Sequence, residues 1–586
     1  MVIILLAGLP CTASAQSLSL NTISTIAKSD PLVITGAVGT QNTYRYTTAG
    51  NNYSSPWSNS IYANLNISVY GISMPLGIYF TNGGLDWNYP HFTFKLTPAY
   101  KNWRGHFGQS NMAFSSYIMT TSFNGIGLEY TDKKWRAGAF YGVLQRAIND
   151  DPTDPFARQP QYKRVGWGFK AGYGTGKNYL DLYFLRAYDR PNSLDERWAD
   201  KIRPQENIAV GIKGAVTPAK WLSFTGNVAV SLFSKNTEAP KVDSIKQKFD
   251  KIMNIRYSSM ARLAGDANVN FNFPGFSSSI TYRIVQPDYT SLGTYYMSNN
   301  YHSLGINMNT TLFRKLSLGG SFSGQADNLT NRQMYTTRGF VYAGNASLRA
   351  GKHLTLSAGY NGFTQTQGDG TAKVNDSTRV HRRTSSFTFS PAYSTESENL
   401  VHSASVSLNY TGNKDLNKYG TGEGDVKTMA LGASYGINVK PWSTDFSLSL
   451  SNQSSKGFKT KYVSRIATFS TGHTFFEENP LTLSGSISMV YNEIQYQSKS
   501  LNIGGDISAS YTLKKYHVFS TAATFYKYGD VNPSKLRSHL DCTDISVSLN
   551  YAYTFSLLTL KKKSDRKINE KKWVKKVVEI SEGFSE

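Results

Sequence analysis

Apolar and polar side chains alternate along this chain over stretches of about ten residues, repeated almost from end to end. Near the C-terminus Ile545, Val547, Leu549, Tyr551, Tyr553 and Phe555 fall on one face, with Ser546, Ser548, Asn550, Ala552 and Thr554 on the other. Between Ser60 and Gly71, Ile61, Ala63, Leu65, Ile67 and Val69 alternate with Tyr62, Asn64, Asn66, Ser68 and Tyr70. The same period runs through Leu222, Phe224, Val228, Val230 and Leu232, and through Leu501, Ile503, Ile507 and Ala509. A period of two predicts strands, each with one apolar face. The opposite face is mostly Gly, Ser, Asn and Thr rather than the bulky residues of a sandwich core, so it suits a wet interior.

The punctuation has its own rhythm. Short turns, many of them basic or Pro-bearing, recur at 132–134, 175–177, 218–220, 274–275, 314–315, 351–352, 440–441, 478–480 and 514–515. Longer polar connections lie between them, at 145–162, 187–205, 234–260, 286–300, 365–380, 411–427 and 527–540. Short turns at one end and long loops at the other are the asymmetry of outer-membrane barrels, the short turns being periplasmic. In hydrocarbon an unpaired backbone group costs several kcal/mol, so a spanning sheet must close on itself. The expected fold is therefore all-β: a transmembrane antiparallel up-and-down β-barrel of about 24–26 strands. It should occupy residues 32–558 as one domain.

Composition agrees with that reading. Charged residues make up 17% of the 586, aromatics 13%, and no long apolar run follows residue 10, so helical spans are excluded. At the start, Val2 to Leu9 is a short apolar core followed by Ala13-Ser14-Ala15, which predicts a signal peptide over 1–15. Cleavage there leaves Cys542 as the single cysteine, and an intrachain disulfide is then impossible. Residues 16–31 read as a short polar leader, too short for an N-terminal plug domain. Residues 559–586 read as a basic tail on the periplasmic side, with Trp573, Val574, Val577, Val578 and Ile580 spaced like one face of a short helix. The net charge of +23 would otherwise suggest nucleic acid. In an exported chain the expected partners are outer-membrane lipid and lipopolysaccharide instead.

Several stretches resemble a large, uncharacterised family of outer-membrane β-barrels from Gram-negative bacteria. They are Tyr70-Gly71-Ile72-Ser73-Met74-Pro75-Leu76, Tyr79-Phe80-Thr81-Asn82, Phe114-Ser115-Ser116-Tyr117 and Arg136-Ala137-Gly138-Ala139-Phe140-Tyr141-Gly142. Pro287-Asp288-Tyr289-Thr290-Ser291-Leu292-Gly293-Thr294-Tyr295-Tyr296 resembles it too. The resemblance implies a barrel in the cell outer membrane and carries no activity or functional residue with it.

Candidate chemistry is sparse. Gly172-Tyr173-Gly174-Thr175-Gly176-Lys177 evokes a phosphate loop, but Ala171 and Asn178 break the required spacing, and a turn is the better reading. The nine histidines are scattered without metal-ligand spacing; His106, His302, His473 and His517 read as strand or turn residues. No Ser/His hydrolase context stands out. Asp150, Asp151 and Asp154 could offer oxygens to calcium, though a Pro-stiffened solvated loop accounts for them better; Asp369, Asp376 and Glu396 read the same way. No catalytic, cofactor or metal residue is expected, and no enzyme.

The residues singled out are aromatic. Trp103, Trp135, Trp167, Trp221, Tyr551, Tyr553 and Phe555 stand near strand ends, where amphipathic rings settle at the headgroup level. The expected function is a large pore or translocation channel. A barrel this wide leaks if empty, so its lumen should be filled by its own loops, such as 234–260, or by a partner protein. The alternative is a scaffold that anchors a cell-surface protein or adhesin through Tyr- and Asn-rich loops such as Tyr295–Tyr301.

Overall fold

The computed structural model describes residues 32–48, 56–70, 72–82, 92–150, 158–198, 201–242, 253–457, 459–531 and 542–560. The expected signal peptide, the leader and residues 561–586 of the expected tail lie outside them, as do parts of the 145–162, 234–260 and 527–540 connections.

Every strand pairs antiparallel with its sequence neighbours, and the ladder closes on itself. The first strand, Leu32–Thr47, lies between Trp57–Val69 and the last strand, Cys542–Leu560. Closure runs from Leu32 opposite Leu560 to Thr47 opposite Asp544. Phe92–Leu96 and Ala99–Tyr100 are two halves of one rung, separated at Thr97-Pro98 and both flanked by Ile72–Thr81 and Trp103–Ser110. Counting them once gives a closed barrel of 26 strands with almost no helix. Closure leaves no unpaired edge, which is the condition for a sheet to sit in lipid.

The alternation read in the sequence becomes inside and outside. On Leu222–Ser234, Phe224, Val228 and Val230 are 43–46% exposed on the outer face, while Asn227, Ala229 and Ser231 are buried on the inner one. Cross-strand register carries the apolar face around the wall, as in Leu65 opposite Leu76 and Leu448 opposite Phe469. The expected short turns join the strands at one end, together with Tyr70, Lys101-Asn102 and residues 397–399. Both ends of the described barrel sit on that side, and the longer loops lie opposite.

Strand length differs around the ring. From Trp103–Ser110 through Tyr179–Asp189 the strands have 8–11 residues, close to what one crossing needs. From Tyr335–Arg349 onward they have 13–19, so their ends project beyond the hydrocarbon. The aromatic rings gather near the turns. Trp103 packs on Tyr130 at 4.8 Å, Trp135 on Tyr173 at 4.7 Å, and Trp221 on Phe273 at 5.5 Å.

Candidate functional site

In one sector the inner face departs from the small, polar rule. Phe123, Phe140, Leu144, Tyr183, Leu185, Phe233 and Val285 all point inward from strands between Phe123–Thr131 and Phe276–Val285. Their outward neighbours Ile126, Tyr141 and Leu182 are 47–58% exposed. An apolar inner wall facing water would be costly. Two loops cover it from inside the lumen: residues 111–122 and residues 286–300.

The first loop brings Met112, Tyr117, Ile118 and Met119 into the cluster, and the second brings Tyr289 and Leu292. Ile118 is fully buried and Tyr289 is 1% exposed. Phe114 meets Phe140 edge-on at 5.5 Å, and Phe140 stacks on Phe123 at 4.6 Å. Room for these rings comes from glycines on the wall. A Cβ on Gly211 would stand 2.7 Å from the Ile118 side chain, and one on Gly168 would stand 2.9 Å from the Phe140 ring. No larger residue fits at either point without displacing the cluster.

Backbone polarity inside the cluster is satisfied loop to loop. Met119 bridges Gly293 in parallel, and the amides of Thr120 and Thr121 donate to the Gly293 carbonyl at 2.9 and 3.1 Å. The Tyr289 hydroxyl donates to the Tyr117 carbonyl at 2.9 Å, and Ser291 donates to that of Ile118. The wall supplies the remaining partners. Ser115 donates to Asn227 Oδ1 at 2.7 Å, Asn227 Nδ2 donates to Ser116 at 3.3 Å, and the Tyr117 hydroxyl donates to Asp266 at 2.7 Å. Asn207 accepts from the Leu292 amide, and Arg262 donates to the Pro287 carbonyl at 2.8 Å. On the wall beside the first loop, Glu129 accepts from His106 at 2.7 Å and from Lys170, whose ammonium also reaches the Ala113 carbonyl.

The rest of the wall is different. From Tyr301–Leu312 to Cys542–Leu560 the inward positions are mainly Ser, Thr, Asn and Gly. Hydroxyls pair across strands, Ser405 with Ser434 and Ser484 with Ser508, each at 2.7 Å. Asp506, which accepts from Ser486, is the one charged inward position of that arc away from strand ends, among the described residues. The lumen thus has a filled side and a bare, hydroxylated side.

Of the aromatics singled out from the sequence, Trp103, Trp135 and Trp221 lie on the outer face at the turn end, 43–58% exposed. Tyr551, Tyr553 and Phe555 form an outward stack with His517, whose ring lies 4.6 Å from that of Tyr553. Trp167 is half-buried toward the loop end, 5.2 Å from Phe184. These seven residues do not converge on one site. Thr175–Asn178 is the turn between two strands, and Asp150 is held by Arg158 at 2.8 Å; Asp151 and Asp154 lie outside the described residues. Of the long loops expected to fill the lumen, 234–260 has residues 243–252 outside the described residues, while 286–300 packs inside the barrel together with 111–122. The rhythm of turns and polar connections in the sequence does not mark residues 111–122 as a loop. A signal was nevertheless present, namely bulky apolar residues at lumen-facing positions of Phe123–Gln145, interleaved with Gly125, Gly127, Gly138 and Gly142.

No family model matches the chain, and no curated protein matches it. Among solved structures it is similar to OccK8 (OprE) of Pseudomonas aeruginosa, at 12% identity over 65% of this chain and 97% of that one, with a TM-score of 0.31. It is similar to BauA, the ferric preacinetobactin receptor from Acinetobacter baumannii, at 11% identity over 88% and 80%, with a TM-score of 0.38. The P pilus usher (PapC) translocation pore matches at 10% identity over 90% and 100%, with a TM-score of 0.33.

Proposed function

We propose that the barrel is a pore of the outer membrane for hydrophilic, largely uncharged solutes, narrowed from within by its loops 111–122 and 286–300. The observation that carries this reading is the two-sided lumen. A docked apolar layer fills one sector, and a wall of hydroxyls and amides lines the other. Small hydroxyl and amide groups exchange hydrogen bonds with water or a sugar at little net cost, while a nearly charge-free arc gives an ion no fixed partner.

The test is reconstitution. Liposomes carrying the full chain should swell in isotonic neutral oligosaccharide, and replacing residues 112–121 with a short Gly/Ser linker should raise both swelling rate and single-channel conductance. Absence of swelling with any neutral sugar in both proteins would remove the pore reading. A linker variant with unchanged conductance would remove the narrowing.

A second reading, a scaffold for a surface protein, is favoured by Tyr295 and Tyr296, 86% and 87% exposed on the second docked loop. Cross-linking on whole cells should then capture a stable partner, and alanine at both positions should release it.

A further inference from the structure

A row of cations lies on the outer face of the barrel, at the loop ends of its long strands. On the outer face, at the loop end, register places Lys427 directly opposite Lys456, and Lys456 directly opposite Lys461. Arg383 and Lys414, opposite each other on the two adjoining strands, continue the row. All five are exposed, and none makes an ion pair among the described residues. Nearby acids are engaged elsewhere, Glu493 with Lys499 at 3.5 Å and Asp425 with the Asp415 amide at 2.7 Å. Like charges directly across a ladder repel, and strands lie about 4.8 Å apart. A dense array of anions laid along the row would relieve that repulsion.

Below the row, the three strands that carry the lysines and the next one, Leu481–Ile494, form a groove. One rung reads Ala433, Leu450, Ala467 and Met489, and the rung above reads Leu431, Asn452, Arg465 and Tyr491. The two alanines leave a trough between larger apolar side chains, lined by Leu431, Leu450 and Met489, with Asn452, Arg465 and Tyr491 at its upper end. Arg465 is exposed on the outer face, its guanidinium 5.8 Å from the centre of the Tyr491 ring. A cation at the upper boundary of an apolar trough, with more cations about 13 Å further along the strands, is shaped for a ligand with an acyl chain and several anionic groups above it.

We propose that this face binds one phosphorylated glycolipid of the outer leaflet, of the lipid A type. An acyl chain lies in the Ala433–Ala467 trough, a headgroup phosphate meets Arg465 with Asn452, and anionic groups of the attached saccharide meet Lys427, Lys456 and Lys461. Each cation releases counterions on meeting a phosphate, and Arg465 can do so bidentately. The site is independent of the pore reading, since it lies on the opposite face of the wall.

Native mass spectrometry of the full-length barrel, released from detergent with diphosphoryl lipid A, tests the headgroup half of the site. The wild type should retain one lipid A, and Arg465→Gln should reduce its occupancy at least threefold. Lipopolysaccharide that keeps its phosphorylated saccharide tests the row. The combined Lys427→Gln, Lys456→Gln and Lys461→Gln variant should lose its adduct about tenfold, and arginine at the same three positions should restore it. Lys527→Gln, an outward lysine outside the patch, should bind as wild type. Heat-modifiable migration checks that each variant is folded, and Arg465→Gln alone decides if the triple variant is not. Equal retention by wild type and Arg465→Gln, equal retention of dephosphorylated lipid A, or displacement by phosphatidylglycerol at equal concentration would overturn the assignment.

Discussion

Truncating Ile118 to alanine probes whether the docked loops are a separable layer inside a self-sufficient wall. Ile118 is fully buried between the second loop and the Gly211 position of the wall. Removing a buried Ile side chain to Ala costs about 2–5 kcal/mol. The lower part of that range applies, because water reaches the lumen beside the loop and the loop can shift into the space. Taking about 2–3 kcal/mol, with about 1.4 kcal/mol for each tenfold change, the undocked fraction rises roughly 30- to 140-fold. The barrel wall should be untouched, since its backbone ladders do not involve this side chain. In planar bilayers the variant should show brief excursions to a higher current level that are rare or absent in wild type, with unchanged heat-modifiable migration. Indistinguishable current levels and noise from a folded Ile118→Ala protein would refute the reasoning. The loops would then either be held by something other than this cluster or leave the conducting path unaffected.

Other outcomes follow from the same geometry. Tyr289→Phe removes the donor to the buried Tyr117 carbonyl, costs about 1–2 kcal/mol, and should raise the excursions roughly 5- to 30-fold, less than additively with Ile118→Ala because the two loops touch. Gly168→Leu would drive a side chain into Phe140 and should lower the yield of folded barrel measured by heat-modifiable migration. Trp135→Ala loses the pairing with Tyr173 and should lower stability by about 0.5–1.5 kcal/mol in urea unfolding from lipid, with Trp135→Phe in between; no shift would remove its anchoring role. The amides of Trp135 and Lys134 and the Tyr130 hydroxyl hold the Asp132 carboxyl below the usual carboxylate range. A depressed value stabilises above the unfolded value and fades as pH falls through the folded one. Asp132→Ala should therefore lower the melting temperature at pH 7, with the difference closing in strong acid.

Much of this protein was legible residue by residue. Alternation with period two needs no partner to be read, because successive side chains in any strand point to opposite faces. With a greasy face on every strand and no apolar run for a helix, only a closed sheet satisfies the backbone in lipid. The sequence therefore determined the closed all-β barrel and its range of strand number. Tertiary structure decided what required distant residues to meet. Loop 111–122 enters the lumen because Phe140, Leu185 and Phe233, far apart in the chain, share one inner wall that must be shielded from water. Lys427 and Lys456 become neighbours through a register set by the turn at 440–443, and Lys461 joins them across the next loop. A side chain's face is local information, whereas its neighbours on that face follow from how turns and loops align one strand with the next.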